Sequence, residues 1–184
     1  MCNGWPLSAI AGKHELVGRL SDDPLEPNLT LPERSFMSMT FGGWAPALAR
    51  FLEVVNQIEN TDALQTLRAA GTQWIAGAKQ LITANGLDGV IEMIGHPERS
   101  ALRFSPGQPA DLLRSIVQQA GAEHGVLFGC TFFVTPYHAG QPVEQMLVAL
   151  GVGLDRIKSG LKNDCLAGML VGEAGQSVII GRRG

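Results

Sequence analysis

An α/β segment leading into an α+β unit, with an antiparallel sheet covered by helices, is the fold class this sequence predicts. Three observations predict it. From about residue 86 onward, short apolar runs joined by tight turns alternate with single helical periods, as in an antiparallel rather than a parallel sheet. Between residues 46 and 85, two long amphipathic patterns follow one another directly. Ahead of them, Pro24, Pro27 and Pro32 punctuate a stretch without apolar period, which marks a surface loop rather than a helix or central strand.

The elements follow in order. An Asn3-Gly4 turn leads to a short apolar strand, Leu7 to Ala11, and then to a brief helical turn around His14 to Leu20. Ser35 to Thr40 alternates apolar with polar and reads as a strand, closed by Gly42 and Gly43. Pro46 suits a first helical turn, where its missing N–H costs nothing, and Leu48, Phe51, Leu52, Val55 and Ile58 then recur at three- and four-residue spacing, so this helix should bury one face. Asn60-Thr61-Asp62 offers a new N-cap, and a second helix continues through Leu64, Leu67, Trp74, Ile75, Leu81 and Ile82 to Asn85-Gly86. Strands are expected at Val90 to Ile94 and Ala101 to Phe104, a helix from Pro109 to Ala120 stopped by Gly121, strands near Val126 to Phe128 and Thr131 to Val134, and a last helix from Pro142 to about Lys158.

With 184 residues, 45% of them apolar, the chain can bury a real core. Its net charge of −3, with arginines and lysines scattered along the sequence, lacks the electrostatic footprint of a nucleic-acid binder, so no nucleic acid is expected as a partner. Cys2, Cys130 and Cys165 are odd in number and lack metal-type spacing, which fits reduced thiols in a cytoplasmic protein. No apolar run approaches the ~20 residues of a membrane span, so no membrane partner is expected either.

Met1 to Gly12, with Asn3-Gly4-Trp5-Pro6-Leu7-Ser8-Ala9 at its centre, resembles the stretch that follows the Schiff-base lysine in class III pyridoxal-phosphate (PLP) aminotransferases, nearest the glutamate-1-semialdehyde aminomutase-like branch. Ser35 to Gly43 resembles the Ser-x-Thr-aromatic-Gly-Gly segment of the same family, and Leu166-Ala167-Gly168 with Arg182-Arg183 resembles its tails. The resemblance covers most of the chain and implies the C-terminal part of a fold-type I PLP transferase. Residues 1–45 would be the end of the large cofactor-binding domain, 46–60 a connecting helix, and 61–184 the small C-terminal α+β domain. It also implies that the reactive lysine lies two residues ahead of Met1, so the chain as written is expected to be inactive alone.

Thr40-Phe41-Gly42-Gly43 ahead of a helix is the one local arrangement with an anion-binding rationale, combining a hydroxyl, backbone N–H groups freed by glycine and a helix N-terminus. The same pattern also serves as a plain strand-to-helix connection. The resemblance implies that Thr40, with Phe41, contacts the phosphate of the PLP held by the neighbouring subunit of a homodimer. Where many relatives carry Glu after the glycine pair this chain has Trp44, whose indole is expected to fill space beside the start of the helix. Trp5 reads either as a wall of the cofactor pocket or as packing beneath the strand.

Schiff-base chemistry needs an amine whose pKa its surroundings lower. Lys13, Lys79, Lys158 and Lys162 fall at peripheral, polar-face or helix-end positions, so no catalytic residue is assigned within this chain. His14, His96, His124 and His138 share no ligand spacing and suggest no metal site. His138 is expected to hydrogen-bond the turn before Pro142, and Arg99 and Arg103 to be solvated or ion-paired, although either guanidinium could reach a substrate carboxylate. The resemblance then implies amino-group transfer through a pyridoxamine form, acting on an amino acid or amine, as transaminase or mutase. The alternative is a non-catalytic interaction or dimer-completing module derived from the same fold.

Overall fold

The computed structural model describes residues 4–17, 42–129 and 131–175. They fall into two compact units that part between Thr61 and Asp62. The first holds α1 (His14–Val17) and α2 (Ala45–Asn60). The second runs α3 (Ala63–Ala84), β1 (Ile91–His96), β2 (Arg99–Phe104), α4 (Ala110–Glu123), β3 (Phe132–Phe133), a 3-10 turn at Pro136–His138, α5 (Gln141–Lys162) and a 3-10 turn at Ala167–Met169. The expected strand over Ser35 to Thr40 lies outside the described residues.

In the second unit β1, β2 and β3 form an antiparallel sheet in that order. Its register separates two faces by the two-residue alternation of a strand. Ile91 opposes Phe104, Met93 opposes Leu102 and Ser100 opposes Phe132, and Ile91, Met93 and Phe132 are buried in the core. The alternate positions carry Glu92 ion-paired with Arg103 directly across the ladder, and Arg99, whose guanidinium lies 5.2 Å from the centre of the Phe133 ring. Both arginines that could have reached a substrate carboxylate are therefore engaged by neighbours on this outer face.

Helices α3, α4 and α5 supply the rest of the core, with Trp74, Leu113, Ile116, Val143, Leu150, Leu154 and Ile157 fully buried. α5 packs against both other helices, and close approach is made possible where a side chain is missing. At Gly153 a Cβ would lie 3.1 Å from Val117 Cα, and at Gly77 it would lie 2.7 Å from the Leu147 methyls. The segment after α5 is tied along α4: Gln119 accepts from the Val171 N–H at 2.8 Å, and Ser115 Oγ accepts from the Gly175 N–H at 2.9 Å.

Helix ends explain where the expected boundaries move. After α3 the Leu87 N–H reaches Ile82 O at 3.0 Å and the Gly86 N–H reaches Thr83 O at 2.9 Å, a Schellman motif that uses Gly86 at φ +69°. α4 ends in the same motif, with Val126 N–H to Gly121 O at 2.8 Å and Gly125 at φ +71°. Gly121 is thus not the helix stop expected from the sequence. It lies inside α4 on the buried face, where a Cβ would meet Val126 O at 2.6 Å and the Phe128 ring at 2.7 Å. α5 continues one turn past Lys158, to Lys162, and closes through Cys165 N–H to Gly160 O at 2.8 Å around Asp164 at φ +50°.

Two expected strands are not formed. Leu7 to Ala11 has no regular structure and is mostly exposed, because no ladder among the described residues reaches it. Val126 to Phe128 is extended but unpaired as a strand, and the Phe128 carbonyl instead accepts from Gln118 Nε2 on α4 at 3.1 Å. The other expected strands shift only at their ends, the last shrinking to Phe132–Phe133. α2 also departs from expectation: only Ala47 is buried, while Leu48, Leu52 and Ile58 are 42%, 66% and 41% exposed. Phe51, Val54 and Val55 are half-buried, so the amphipathic face is covered only in part.

Gly71 on α3 abuts Pro97 in the β1–β2 turn so closely that a methyl group there would overlap the Pro97 carbonyl. Gly71→Ala should therefore lower unfolding free energy by about 1–3 kcal/mol, as overpacking does. Gly89→Ala, which meets nothing within 4 Å, should stay within about 0.5 kcal/mol. Urea unfolding of the two variants checks the difference, and equal stabilities would contradict the packing described.

Candidate functional site

Trp5, in the first of the family-like segments, meets Trp44, the residue that follows the second. Trp5 and Trp44 stack with ring centroids 5.2 Å apart and an interplanar angle of 32°, so Trp5 packs on an indole at the head of α2 rather than beneath a strand. Gly43 takes φ +70°, a left-handed conformation that glycine adopts without steric cost, and turns the chain into α2. Trp44 is the N-cap residue and offers no side-chain cap. Its carbonyl accepts from the Ala47 and Leu48 N–H groups at 3.1 and 3.2 Å, and no acidic residue occupies the first turn. Thr40 and Phe41, the phosphate-binding candidates, lie outside the described residues, as do Cys2 and Cys130.

Among the described residues of the second unit are two concavities. A cleft of about 460 Å³ is lined by Val126, Phe128, Phe132, His138, Gln145 and Met146 among others. Its walls are mainly apolar, and its polar groups are largely occupied: Gln145 Nε2 donates to His124 O at 2.7 Å, and His138 Nδ1 accepts from the Thr135 N–H at 3.0 Å. His138 therefore closes the turn before α5, where the sequence placed it. A shallower groove of about 420 Å³ runs along α3 past Asp62, Thr66, Ala69 and Gln73 to Ala139. Gln145 and Met146 were not singled out from sequence, because a cleft formed between a loop and the start of a helix leaves no local motif.

All four lysines are exposed, on α3 (Lys79), on α5 (Lys158, Lys162) and just before α1 (Lys13), and none lines either concavity. Glu123 is held below the usual carboxylate range first by its hydrogen bond from Arg156, and Glu98 by a backbone hydrogen bond and then by Arg68. Neither carboxylate lines a concavity. Among the described residues no three or more His, Cys, Asp or Glu gather to hold a metal ion, and no helix is long and apolar enough to cross a membrane.

No protein-family model and no curated protein matches this chain. Among solved structures, the PLP internal aldimine form of the FumI protein of Sphingopyxis sp. MTA144 matches with a TM-score of 0.58 at 19% sequence identity, over 74% of this chain and 33% of that one. The chain shares part of the fold of a PLP-bound protein. It spans a third of that protein's length. By themselves the described residues do not hold the cofactor: none of the four lysines is enclosed, and Thr40 and Phe41 lie outside them. No chemical step through PLP follows from these residues.

His138→Ala removes the acceptor for the Thr135 N–H and should cost about 0.5–2 kcal/mol, the usual range for losing a cap. His138→Gln keeps a side-chain acceptor at the same position and should recover most of it. Urea midpoints of the two variants measure this. Equal losses would mean that the imidazole packs there without closing the turn.

Proposed function

We propose that this chain is the C-terminal portion of a PLP-dependent aminotransferase or aminomutase of class III, nearest the glutamate-1-semialdehyde aminomutase-like branch. The observation that carries the reading is the fold shared with a PLP-bound protein over 74% of this chain. It is supported by the family-like segments, the first of which packs through Trp5 on Trp44, just past the second. In this reading residues 1–45 belong to a cofactor-holding domain, 46–60 connect, and 61–184 form the small domain of a cytoplasmic homodimer acting on an amino acid or amine. The cofactor supplies the electron sink for amino-group transfer when bound. Thr40, with Phe41, contributes a hydrogen bond to its phosphate across the dimer. A dimer-completing module without catalysis is the second reading, favoured by the exposure of Leu48, Leu52 and Ile58 on α2.

Two measurements test the reading. Mixed with PLP and reduced with borohydride, the 184-residue chain should carry no cofactor on a defined lysine, because all four lysines are exposed. Stoichiometric attachment mapped to one of them would overturn the assignment of the lysine to another segment.

In a longer polypeptide with a lysine two positions ahead of Met1, Thr40→Ala should weaken PLP retention by about ten- to a hundredfold. That follows from about 1.5–3 kcal/mol for a hydrogen bond to a charged group. Retention as tight as that of the unsubstituted protein would remove Thr40 from the phosphate site.

A further inference from the structure

Residues 166–175, which follow the cap of α5, lie on the second unit without a buried residue among them. Leu166, Met169, Leu170 and Ala174 are half-buried and the others are exposed. Asp164, a non-glycine residue at φ +50°, turns the chain onto this path. The segment then rests on α5 at Gly160, where a Cβ would come within 3.0 Å of Leu166 and 3.1 Å of Met169. The missing side chain is what lets it settle there.

Among the described residues, the hydrogen bonds that tie this segment to the helices all end on Gln119 and Ser115. These two stand four residues apart, on one face of α4. Gln119 Oε1 accepts from the Val171 N–H at 2.8 Å, its Nε2 reaches the Met169 carbonyl at 3.5 Å, and Ser115 Oγ accepts from the Gly175 N–H at 2.9 Å. The Val171 side chain is 90% exposed, so that residue is held by its backbone alone. Gln119 turns its oxygen to Val171 because its nitrogen donates to Glu123 Oε1 at 3.1 Å, and Arg156 of α5 holds that carboxylate at 2.6 and 3.0 Å. One side-chain amide thus joins the segment to a network that already links α4 with α5.

We propose that residues 166–175 form a strap that lifts from α4 and α5 as one piece while the core stays folded, with Gln119 as its latch. Segments with few buried apolar contacts and exposed hydrogen bonds open at the low end of a protein's range of local stabilities. Opening uncovers the faces of α4 and α5 around Gln119 and Gly160. The device belongs to the second unit and does not depend on the proposed enzymatic role.

The test is hydrogen exchange in the full chain, read as protection of the Val171 and Gly175 amides and, for the core, of Trp74 and Leu154. In the unsubstituted protein the two strap amides should share one protection level, at least about tenfold below the core. Gln119→Ala should lower protection at both by about two- to tenfold, the worth of one hydrogen bond, and leave the core amides unchanged. Gly175 separates the cases, because it bonds Ser115 and does not touch Gln119. A loss at Val171 alone would mean two independent pins and overturn the strap. No loss at either amide, an equal loss in the core, or strap amides as protected as the core from the start would overturn it too. Gly160→Ala presses on Leu166 and Met169 without touching either hydrogen bond, while alanine suits a helix interior better than glycine. It should lower protection at the same two amides and spare the core, which decides the matter even if Gln119→Ala fails to fold. Unchanged strap amides in that variant count against the proposal.

Discussion

The second unit depends on the seating of Trp74 against the aromatic side of the sheet. Its ring lies 4.8 Å from Phe132 and 6.1 Å from Phe128, and those two rings meet edge to face at 5.6 Å. One side chain of α3 thereby holds the shortest strand and the extended segment before it, neither of which has enough ladder hydrogen bonds to stay in place alone. Aromatic contacts of this kind add about 0.5–1.5 kcal/mol per pair beyond the area they bury. Loss of the Trp74 ring would remove that support from Phe132 and Phe128.

Local chemistry sets the lengths of the elements that converge there. Three helices end in the same hydrogen-bond pattern, around Gly86, Gly125 and Asp164, and each hands the chain to a residue that packs or bonds near the helix end. Leu87, for example, follows Gly86 and is buried beside Ile82. A boundary fixed this way does not drift, so the packing of α5 between α3 and α4 is built on helices of defined length.

A fold shared at 19% identity with a PLP-bound protein is consistent with this division of labour. Interiors tolerate wide changes of side chain if volume and pattern are kept, whereas chemistry rests on a few groups in fixed places. Here the buried pattern is intact in the second unit, while its lysines are all on the surface and its two conjectured substrate arginines face Glu92 and Phe133.

What the sequence determined by itself is what acts over a few residues. The apolar period marked α2, α3 and α5, Asn85-Gly86 marked the end of α3, and Thr135 to His138 marked a turn closed by its histidine, since all these features lie within one or two turns of chain. The tertiary structure decided what needs a distant partner. It made Gly121, the stop expected from the sequence, a contact point for Phe128, and Gly125 the helix stop. It denied Leu7 to Ala11 and Val126 to Phe128 a ladder, despite suitable residues, because a strand exists only where another presents its hydrogen-bonding edge. It stacked Trp5 on Trp44 across some forty residues and formed the cleft beside His138 from segments that share no motif. A residue's conformational preference is local, but its partner is chosen by how the whole chain returns upon itself.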